Sequence, residues 1–326
     1  NFYTDFQPVT DSNTRSKFEK FYKVSLPKND GLTIREMLNK AHEGEIKALF
    51  VMGTDVLMSE PDTKRVKKAL KNLDLLVVLD IFMSNTAQYA DVLLPAACFA
   101  EKDGTFTNIE RRVQRVRKTT SPPGKAKADW KIITELANQM GYPMDYQSPE
   151  AIWEEIRIVS PNFAGINYQR IENVGIQWPC PDMKHQGTKF LYDEKFPHGK
   201  ASFSLTEREP FLEKTSTNFP FILSTGRTLY HFNTGSMTRR ASGSTQKQPY
   251  AFVEISQDDA DVASIKNGDM VRVSTKRGEI SLYAKITSRV VSKQIWIPFH
   301  FLSAPVNLLT NASVSKDDFG FMPAYK

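Results

Sequence analysis

The chain has 326 residues, 40% of them hydrophobic and 25% charged, which is an ordinary globular composition on a length that favours two domains over one core. No apolar run reaches the roughly 20 residues of a membrane helix and no signal peptide opens the chain, so we expect no membrane span and a cytoplasmic location. The net charge is +6, but the sequence contains none of the motifs of nucleic-acid-binding proteins. If the protein binds an anion, we therefore expect a phosphate-bearing cofactor and not a nucleic acid.

The first third of the chain alternates helices with short apolar strands. Thr33 followed by Glu36 is a capping-box signature, which predicts a helix over 31–44. The next predicted elements are a buried strand at 47–52, a helix at 61–71 opened by Pro61, a strand at 73–79, a helical piece at 85–90 and a strand at 90–95. This alternation predicts a parallel sheet whose ligand-binding edge carries Gly53, Thr54, Asp55 and Asp80.

The rest of the chain changes its composition and predicted secondary structure twice. A helix is predicted at 127–140, followed by a proline- and aromatic-rich connecting region from about 143 to 215 with one short helix at 149–158. From Phe219 onward, short strands alternate with turn signals, which predicts a barrel or sandwich. These strands are expected at 221–224, 253–256, 270–274, 280–286 and 294–299, with one helix at 257–265.

Three polar clusters could bind a ligand. The segment 224–240 concentrates glycines, arginines and hydroxyls, which suit a phosphate better than they suit a plain surface loop. The segment 101–115 is either a ligand-binding loop or a salt-bridged surface loop, and the sequence supports the two interpretations equally. The segment 299–311 contains Asn side chains that could read the edge of a heteroaromatic ring, although a simple turn after a strand explains it as well.

Metal and nucleophile motifs are missing from the sequence. Cys98 and Cys180 share no short motif, so neither a zinc site nor an iron–sulfur cluster is expected from them, and both should be plain thiols. No P-loop, nucleophile elbow, zinc-protease motif or calcium loop occurs. We therefore name no catalytic residue and no metal ligand in this chain.

Several of these segments together resemble the molybdopterin guanine dinucleotide (bis-MGD) oxidoreductases, and within them the catalytic (alpha) subunit of formate dehydrogenase. The resemblance covers essentially the whole chain. It rests on Asp80-Ile-Phe-Met-Ser84, Ala90-Asp-Val-Leu-Leu-Pro-Ala-Ala97, Glu101-Lys-Asp-Gly-Thr-Phe-Thr-Asn108, Glu110-Arg-Arg-Val-Gln114, Asp129-Trp130, Gln177-Trp-Pro-Cys-Pro181, Thr225-Gly-Arg227, Thr234-Gly-Ser-Met-Thr-Arg-Arg240 and Asn307-Leu-Leu-Thr310.

The resemblance implies the C-terminal part of a larger subunit. Residues 1–212 would form an α/β Rossmann-like domain with a parallel sheet, including the long connecting region, and residues 213–326 an all-β six-stranded double-psi barrel that binds the dinucleotide. The cofactor would be bis-MGD with molybdenum or tungsten. The iron–sulfur cluster and the metal ligand would belong to the missing N-terminal part of the same subunit.

The resemblance also assigns roles to individual residues. The residues implied to contact the cofactor are Asp80, Lys102, Asp129, Thr225, Gly226, Arg227, His231, Thr234, Asn307 and Lys326, and Thr54 at the strand edge is a further candidate. Phe299 would lie near the substrate channel. We expect Asp129 to hold the guanine base, because a carboxylate can accept hydrogen bonds from both guanine N1–H and the 2-amino group.

The implied activity is oxidation of formate to CO2, with two electrons passed to an iron–sulfur chain in partner electron-transfer subunits. The chain alone should be inactive. Two alternatives remain at this point: a related nitrate reductase-type enzyme, and a stand-alone cofactor-binding module.

Overall fold

A computed structural model describes residues 1–193, 196, 199, 200, 203, 205 and 213–312. The α-helices in this part are α1 (Ser12–Tyr22), α2 (Ile34–Glu43), α3 (Val56–Ser59), α4 (Thr63–Lys71), α5 (Asp129–Gln139), α6 (Pro149–Val159), α7 (Ser242–Lys247) and α8 (Gln257–Val262). The strands are β1 (Phe2–Tyr3), β2 (Gln7–Pro8), β3 (Ala48–Met52), β4 (Leu75–Asp80), β5 (Val92–Pro95), β6 (Gly104–Thr107), β7 (Arg112–Val116), β8 (Ile176–Gln177), β9 (Ile222–Gly226), β10 (Phe252–Ile255), β11 (Met270–Ser274), β12 (Glu279–Ile286) and β13 (Gln294–Pro298).

The chain divides into two compact units, each built from two separate segments. Unit 1 contains 1–32 and 95–206, and unit 2 contains 33–94 and 207–326. The sequence instead predicts a single boundary, between residues 212 and 213. That division refers to the domains of the resembled family and stays a prediction.

Unit 1 contains an antiparallel hairpin where the sequence suggested a loop. Strands β6 and β7 pair from Gly104 opposite Val116 to Thr107 opposite Val113, and β8 adds to β7. The expectation of a loop over 101–115 is therefore wrong for most of that segment. The sequence signal for this hairpin is weak because β6 and β7 are only four and five residues long and contain few apolar residues.

The proline-rich stretch after residue 143 supplies part of the core of unit 1. Trp153, Ile166 and Ile171 are buried with Val113 of β7, and the Trp153 indole Nε1 donates to the Ile166 carbonyl oxygen at 2.6 Å. The expectation of a mere connecting region is corrected here: its apolar residues are irregularly spaced, but they converge on one cluster. The sequence prediction also missed α1, whose Phe18 is buried and stacks on Tyr3.

The α/β part of unit 2 follows the predicted alternation. Strands β3 and β4 are parallel, with Ala48 opposite Leu75 and Met52 opposite Leu79, in a sheet of order β3-β4-β5. Helix α2 begins at the predicted capping box of Thr33 and Glu36. Buried residues of α2 and α4 pack with buried strand residues in one cluster that includes Leu38, Ala41, Val51, Val66, Leu70, Leu76 and Val78.

Two details of this part differ from the prediction. Helix α4 begins after Asp62, whose carboxylate accepts from the Arg65 amide at 3.3 Å, so Pro61 lies outside the helix. Strand β3 is not fully buried, because Phe50 and Met52 are 41% and 50% exposed. Only one face of this strand packs on the helices.

The β part of unit 2 is a mixed sheet of order β11-β12-β10-β13-β9 in the described residues. Strand β10 is parallel to β12, β13 is parallel to β9, and the other neighbours are antiparallel. Its inner face buries Leu223, Val253, Ile255, Leu282 and Ile297 among others. The protein is thus a mixed α/β protein with parallel and antiparallel sheets, and the described strands of this sheet number five.

Direct contacts join the two segments of unit 2. The Asn307 amide nitrogen donates to the Met58 and Ser59 carbonyl oxygens at 2.8 and 3.1 Å. Lys64 Nζ donates to the Arg277 carbonyl oxygen at 2.6 Å, and the Arg240 guanidinium lies 4.2 Å from the ring centre of Phe82. Among the described residues, no helix combines the length and apolar character needed to cross a membrane.

Candidate functional site

In unit 2, the carboxyl ends of two parallel strands bring together the polar clusters 224–240 and 299–311. Strands β9 and β13 pair in register from Ile222 opposite Gln294 to Gly226 opposite Pro298, so the residues that follow them emerge side by side. Residues 227–240, which we call the arginine loop, follow β9, and Phe299 and His300 follow β13. The two polar segments that were predicted separately therefore lie side by side in the structure.

Glycine is required at the start of the arginine loop. A Cβ atom on Gly226 would lie 2.7 Å from Nε1 of Trp296, closer than real side chains approach. A Cβ atom on Gly235, whose φ is +73°, would lie 3.0 Å from the His300 carbonyl oxygen. Both glycines let the loop backbone approach β13 and its continuation closely, as a phosphate-binding turn needs.

Arg227 is held over two aromatic rings. Its Nη2 donates to Asn233 Oδ1 at 2.7 Å, and its guanidinium lies 5.9 Å from the ring centres of Phe232 and Phe299. Arg227 is also exposed, so its remaining N–H groups are accessible. Phe299, predicted near the substrate channel, thus lies beside the predicted cofactor ligand Arg227.

Buried donors in the arginine loop lack partners. Thr228 Oγ1 and Arg239 Nε are buried and have no hydrogen-bond partner among the described residues. Burial, and then the charge of Arg240, lower the pKa of Arg239, while Asp55 opposes the shift. None of Arg227, Arg239 and Arg240 makes a salt bridge within the described part of the chain. A buried donor without a partner costs free energy, and an anionic acceptor would satisfy both of these donors.

His231 is part of the loop's framework. It is 4% exposed, its Nε2 lies 2.9 Å from the Gln248 carbonyl oxygen, and its Nδ1 lies 3.1 Å from Thr238 Oγ1. Both ring nitrogens are therefore engaged inside the protein. Thr234 Oγ1 likewise lies 3.0 Å from Ser236 Oγ, and Thr225 lies within β9.

The other predicted residues of unit 2 lie at strand ends or in connections. Thr54 is exposed after β3, and the Asp80 carboxylate accepts from the Ile81 and Phe82 amides at 2.7 and 3.3 Å. Both hydrogens of the Asn307 amide are used by backbone oxygens, and its Oδ1 already accepts from Thr310 Oγ1 at 2.8 Å, which leaves one further acceptor position on that oxygen. Lys326 lies outside the described residues.

Two buried residues that sequence reasoning did not select support this site. The Asp55 carboxylate accepts four hydrogen bonds from Asn85 and Thr86, at 2.8 to 3.1 Å, and so fixes the turn after β3. His300 contacts the arginine loop at several points. Asp55 appeared in the sequence only as one strand-end residue among four, and His300 as one polar residue in a possible turn.

Unit 1 holds a second candidate site around Lys102 and Asp129. These two predicted residues form an ion pair, with side chains 27% and 28% exposed. Asp129 is the first residue of α5, where the helix dipole favours a carboxylate. The pair borders a cavity of about 270 Å³ whose wall includes the aromatic side chains of Phe99, Phe106, Trp130, Trp153 and Tyr168. The cavity's size and aromatic wall suit one planar base better than a whole dinucleotide.

A larger cavity lies elsewhere in unit 2 and is not the candidate site. It measures about 640 Å³ and is lined by aliphatic residues of the five-stranded sheet, including Leu223, Val253 and Ile255, together with polar and charged residues such as Lys276 and Arg277. It contains none of the predicted site residues. The described residues also contain no cluster of three or more His, Cys, Asp or Glu side chains that could hold a metal ion, and Cys98 and Cys180 are free thiols.

Comparisons with known proteins were made against family models, curated sequences and solved structures. Residues 11–139 match the molybdopterin oxidoreductase model, and residues 221–326 match the molydopterin dinucleotide binding domain. The chain is 45% identical to the F420-dependent formate dehydrogenase subunit alpha of Methanocaldococcus jannaschii over 97% of this chain and 47% of that protein. It is 36% identical to formate dehydrogenase H of Escherichia coli, over 96% of this chain and 45% of that protein.

The solved structures show the same kind of fold. Acetylene hydratase from Pelobacter acetylenicus superimposes with a TM-score of 0.66 at 19% identity, covering 94% of this chain and 47% of that one. The chain therefore spans about half the length of the relatives it matches.

Proposed function

Because the chain belongs to the molybdopterin oxidoreductases, we propose that it is the C-terminal, cofactor-binding part of a molybdenum or tungsten formate dehydrogenase catalytic subunit. Support comes from the two formate dehydrogenases described above, whose similarity extends over nearly all of this chain. The finer fold assignment belongs to this proposal: a Rossmann-like domain over 1–212 and a six-stranded double-psi barrel over 213–326.

The observation that carries the proposal is the arginine loop. Three arginines without salt bridges in the described chain, two buried donors without partners and two glycines that permit close approach lie at the ends of β9 and β13. A pyrophosphate between these groups would receive charge-assisted hydrogen bonds from Arg227 and Arg239 and one from Thr228 Oγ1. Thr225, Gly226 and Thr234 border the same position, while His231 supports it from behind.

The Lys102–Asp129 site would bind the guanine end of a dinucleotide. Asp129 presents two acceptor oxygens at the edge of an aromatic cavity, which matches the two adjacent donors of guanine. Lys102 forms an ion pair with this carboxylate and would lie near a phosphate. Asp80, Thr54, Asn307 and Lys326 are the remaining proposed contacts to the cofactor, and Phe299 remains the proposed channel residue.

The residues present fit a bis-MGD cofactor, since both phosphate-binding and base-binding groups occur. When bound, the cofactor would supply the two-electron redox chemistry that converts formate to CO2. The residues of this chain bind and orient it and match its charge. The metal ligand and an iron–sulfur cluster would come from the N-terminal part of the same subunit, electrons would pass to iron–sulfur partner subunits, and the enzyme would be cytoplasmic.

The experiment compares two arginine variants in the full-length subunit that contains this chain. Arg227→Ala should lower both bound pterin cofactor and formate-dependent dye reduction by about 10-fold or more, as expected for loss of a charge-assisted contact of at least ~1.5 kcal/mol. Arg272→Ala is the matched control, because Arg272 is an exposed arginine of the same sheet whose side chain is 71% accessible. Wild-type cofactor content and turnover in both variants would show that the loop is a surface feature.

A further inference from the structure

His300 contacts the arginine loop through both ring nitrogens. It is the second residue after β13, and no part of it is exposed. The Thr228 amide donates to His300 Nε2 at 2.8 Å, and His300 Nδ1 donates to the Asn233 carbonyl oxygen. The carbonyl oxygen of His300 also packs against Gly235. One side chain thus connects two points of the loop that lie five residues apart.

The two hydrogen bonds have opposite polarity and fix the protonation state of the ring. A backbone N–H can only donate, so Nε2 must be unprotonated to accept from Thr228. A carbonyl oxygen can only accept, so Nδ1 must carry the hydrogen that bonds to Asn233. A single neutral tautomer satisfies both partners. In the imidazolium form, Nε2 would carry a hydrogen that points at the N–H of Thr228, so two donors would face each other.

The charges around His300 disfavour the imidazolium form as well. Burial is the largest cause of a lowered pKa at His300, and His231, Arg227 and Arg239 lower the pKa further, against a raising effect of the bond to Asn233. Arg227 and Arg239, which are among the main groups that shift this pKa, are both cationic. The ring centre of His231 lies 5.6 Å away. The partners of His231 do not require one particular tautomer, because both of them can accept a hydrogen bond.

We propose that His300 is a positioning residue that holds the arginine loop in its binding conformation only while the imidazole is neutral, so that acidification releases the loop. An unfolded or released histidine binds a proton near pH 6.5, more readily than the buried ring does. The loop's support is therefore complete above about pH 6.5 and is lost as the pH falls below it. What the loop binds rests on the proposed function, but the pH-dependent support of the loop by His300 does not.

The test is amide hydrogen exchange in the full-length subunit, measured with and without bound cofactor. In the wild type, the protection factor of peptides covering 226–234 should fall by about 10-fold or more between about pH 7.5 and about pH 5, after correction for intrinsic exchange. Peptides from β12 in the same sheet serve as the internal reference and should stay protected. A loop protection factor that does not change with pH would overturn the proposal.

Two variants distinguish the pH-dependent support by His300 from a general loss of stability. His300→Gln keeps a neutral group that can accept from Thr228, so it should retain much of the protection and lose its pH dependence. His42→Gln, on α2, is the matched control and should keep the wild-type pH dependence. A wild-type pH dependence in His300→Gln would refute the role of His300. If the purified subunit contains no pterin cofactor while the protection of the loop still falls with pH, the proposed function fails but the pH-dependent role of His300 stands.

Discussion

At the scale of single residues, Asp129 is the residue where one atom-level change tests the base-binding proposal. Asp129→Asn keeps the size of the side chain but replaces one acceptor oxygen with a donor, which would face a donor of guanine. We expect bound guanine dinucleotide per subunit to fall by about 10-fold or more, corresponding to roughly 1.5–3 kcal/mol for a charge-assisted hydrogen bond. Nucleotide released by acid from the purified subunit gives the measurement.

The control for this substitution lies on the same helix. Glu135 of α5 forms an exposed ion pair with Lys127 at 2.6 Å. Exposed pairs contribute little, so Glu135→Gln should leave nucleotide content and stability unchanged. Equal nucleotide content in Asp129→Asn and Glu135→Gln would exclude Asp129 as a base ligand.

A second residue-scale prediction concerns the turn after β9. In Gly226→Ala, the added methyl group would have to displace the Trp296 ring, so we expect a destabilisation of roughly 1–3 kcal/mol together with reduced cofactor content. Gly243→Ala is the comparison, because nothing lies within 4 Å of its Cβ position. Thermal unfolding of both variants measures the difference, and equal midpoints would contradict the close contact with Trp296.

At the scale of elements, helix α2 allows a test of its start. Thr33→Ala removes the acceptor for the Glu36 amide and should cost about 1 kcal/mol, whereas Thr33→Ser should restore the cap. Glu36 accepts from the Thr33 amide at 2.7 Å, and this hydrogen bond lowers the pKa of Glu36. Its contribution is present above the ordinary value of 4.5 and is lost as the pH falls below it. Hydrogen exchange at the first turn of α2, followed with pH, measures both effects.

The elements also show what the sequence could and could not predict. The start of α2 and the strand β11 were predicted closely because capping and alternation are local signals. The β6–β7 hairpin was missed because its two strands are short and contain few apolar residues, so their alternation is weak. In the candidate site, the concentration of donors marks the arginine loop in the sequence, and its binding role stays a prediction. The role of His300 was not, because its partner Thr228 lies 72 residues earlier and only the fold brings them together.

At the scale of the whole molecule, the chain by itself should not oxidise formate. In the proposed function, the metal ligand would lie outside residues 1–326, and the relatives named above are about twice as long as this chain. Residues 1–326, supplied with cofactor and a dye acceptor, should show no turnover above the buffer blank, while the full-length subunit should be active. Formate-dependent dye reduction by the chain alone would contradict the proposal that it is the cofactor-binding part only.

The interleaving of the two units has a consequence for synthesis on the ribosome. Residues 33–94 leave the ribosome roughly a hundred residues before residues 207–326, which complete the same unit. Arg277 and Asn307 are made roughly 200 residues after residue 94, so at about 5–20 residues per second the first segment waits roughly 10–40 s for these partners. During this interval, the surface of α4 and the turn at Met58 lack their native contacts. The nascent chain therefore passes through a stage at which chaperone binding competes with aggregation, and slow elongation after residue 94 would prolong that exposure.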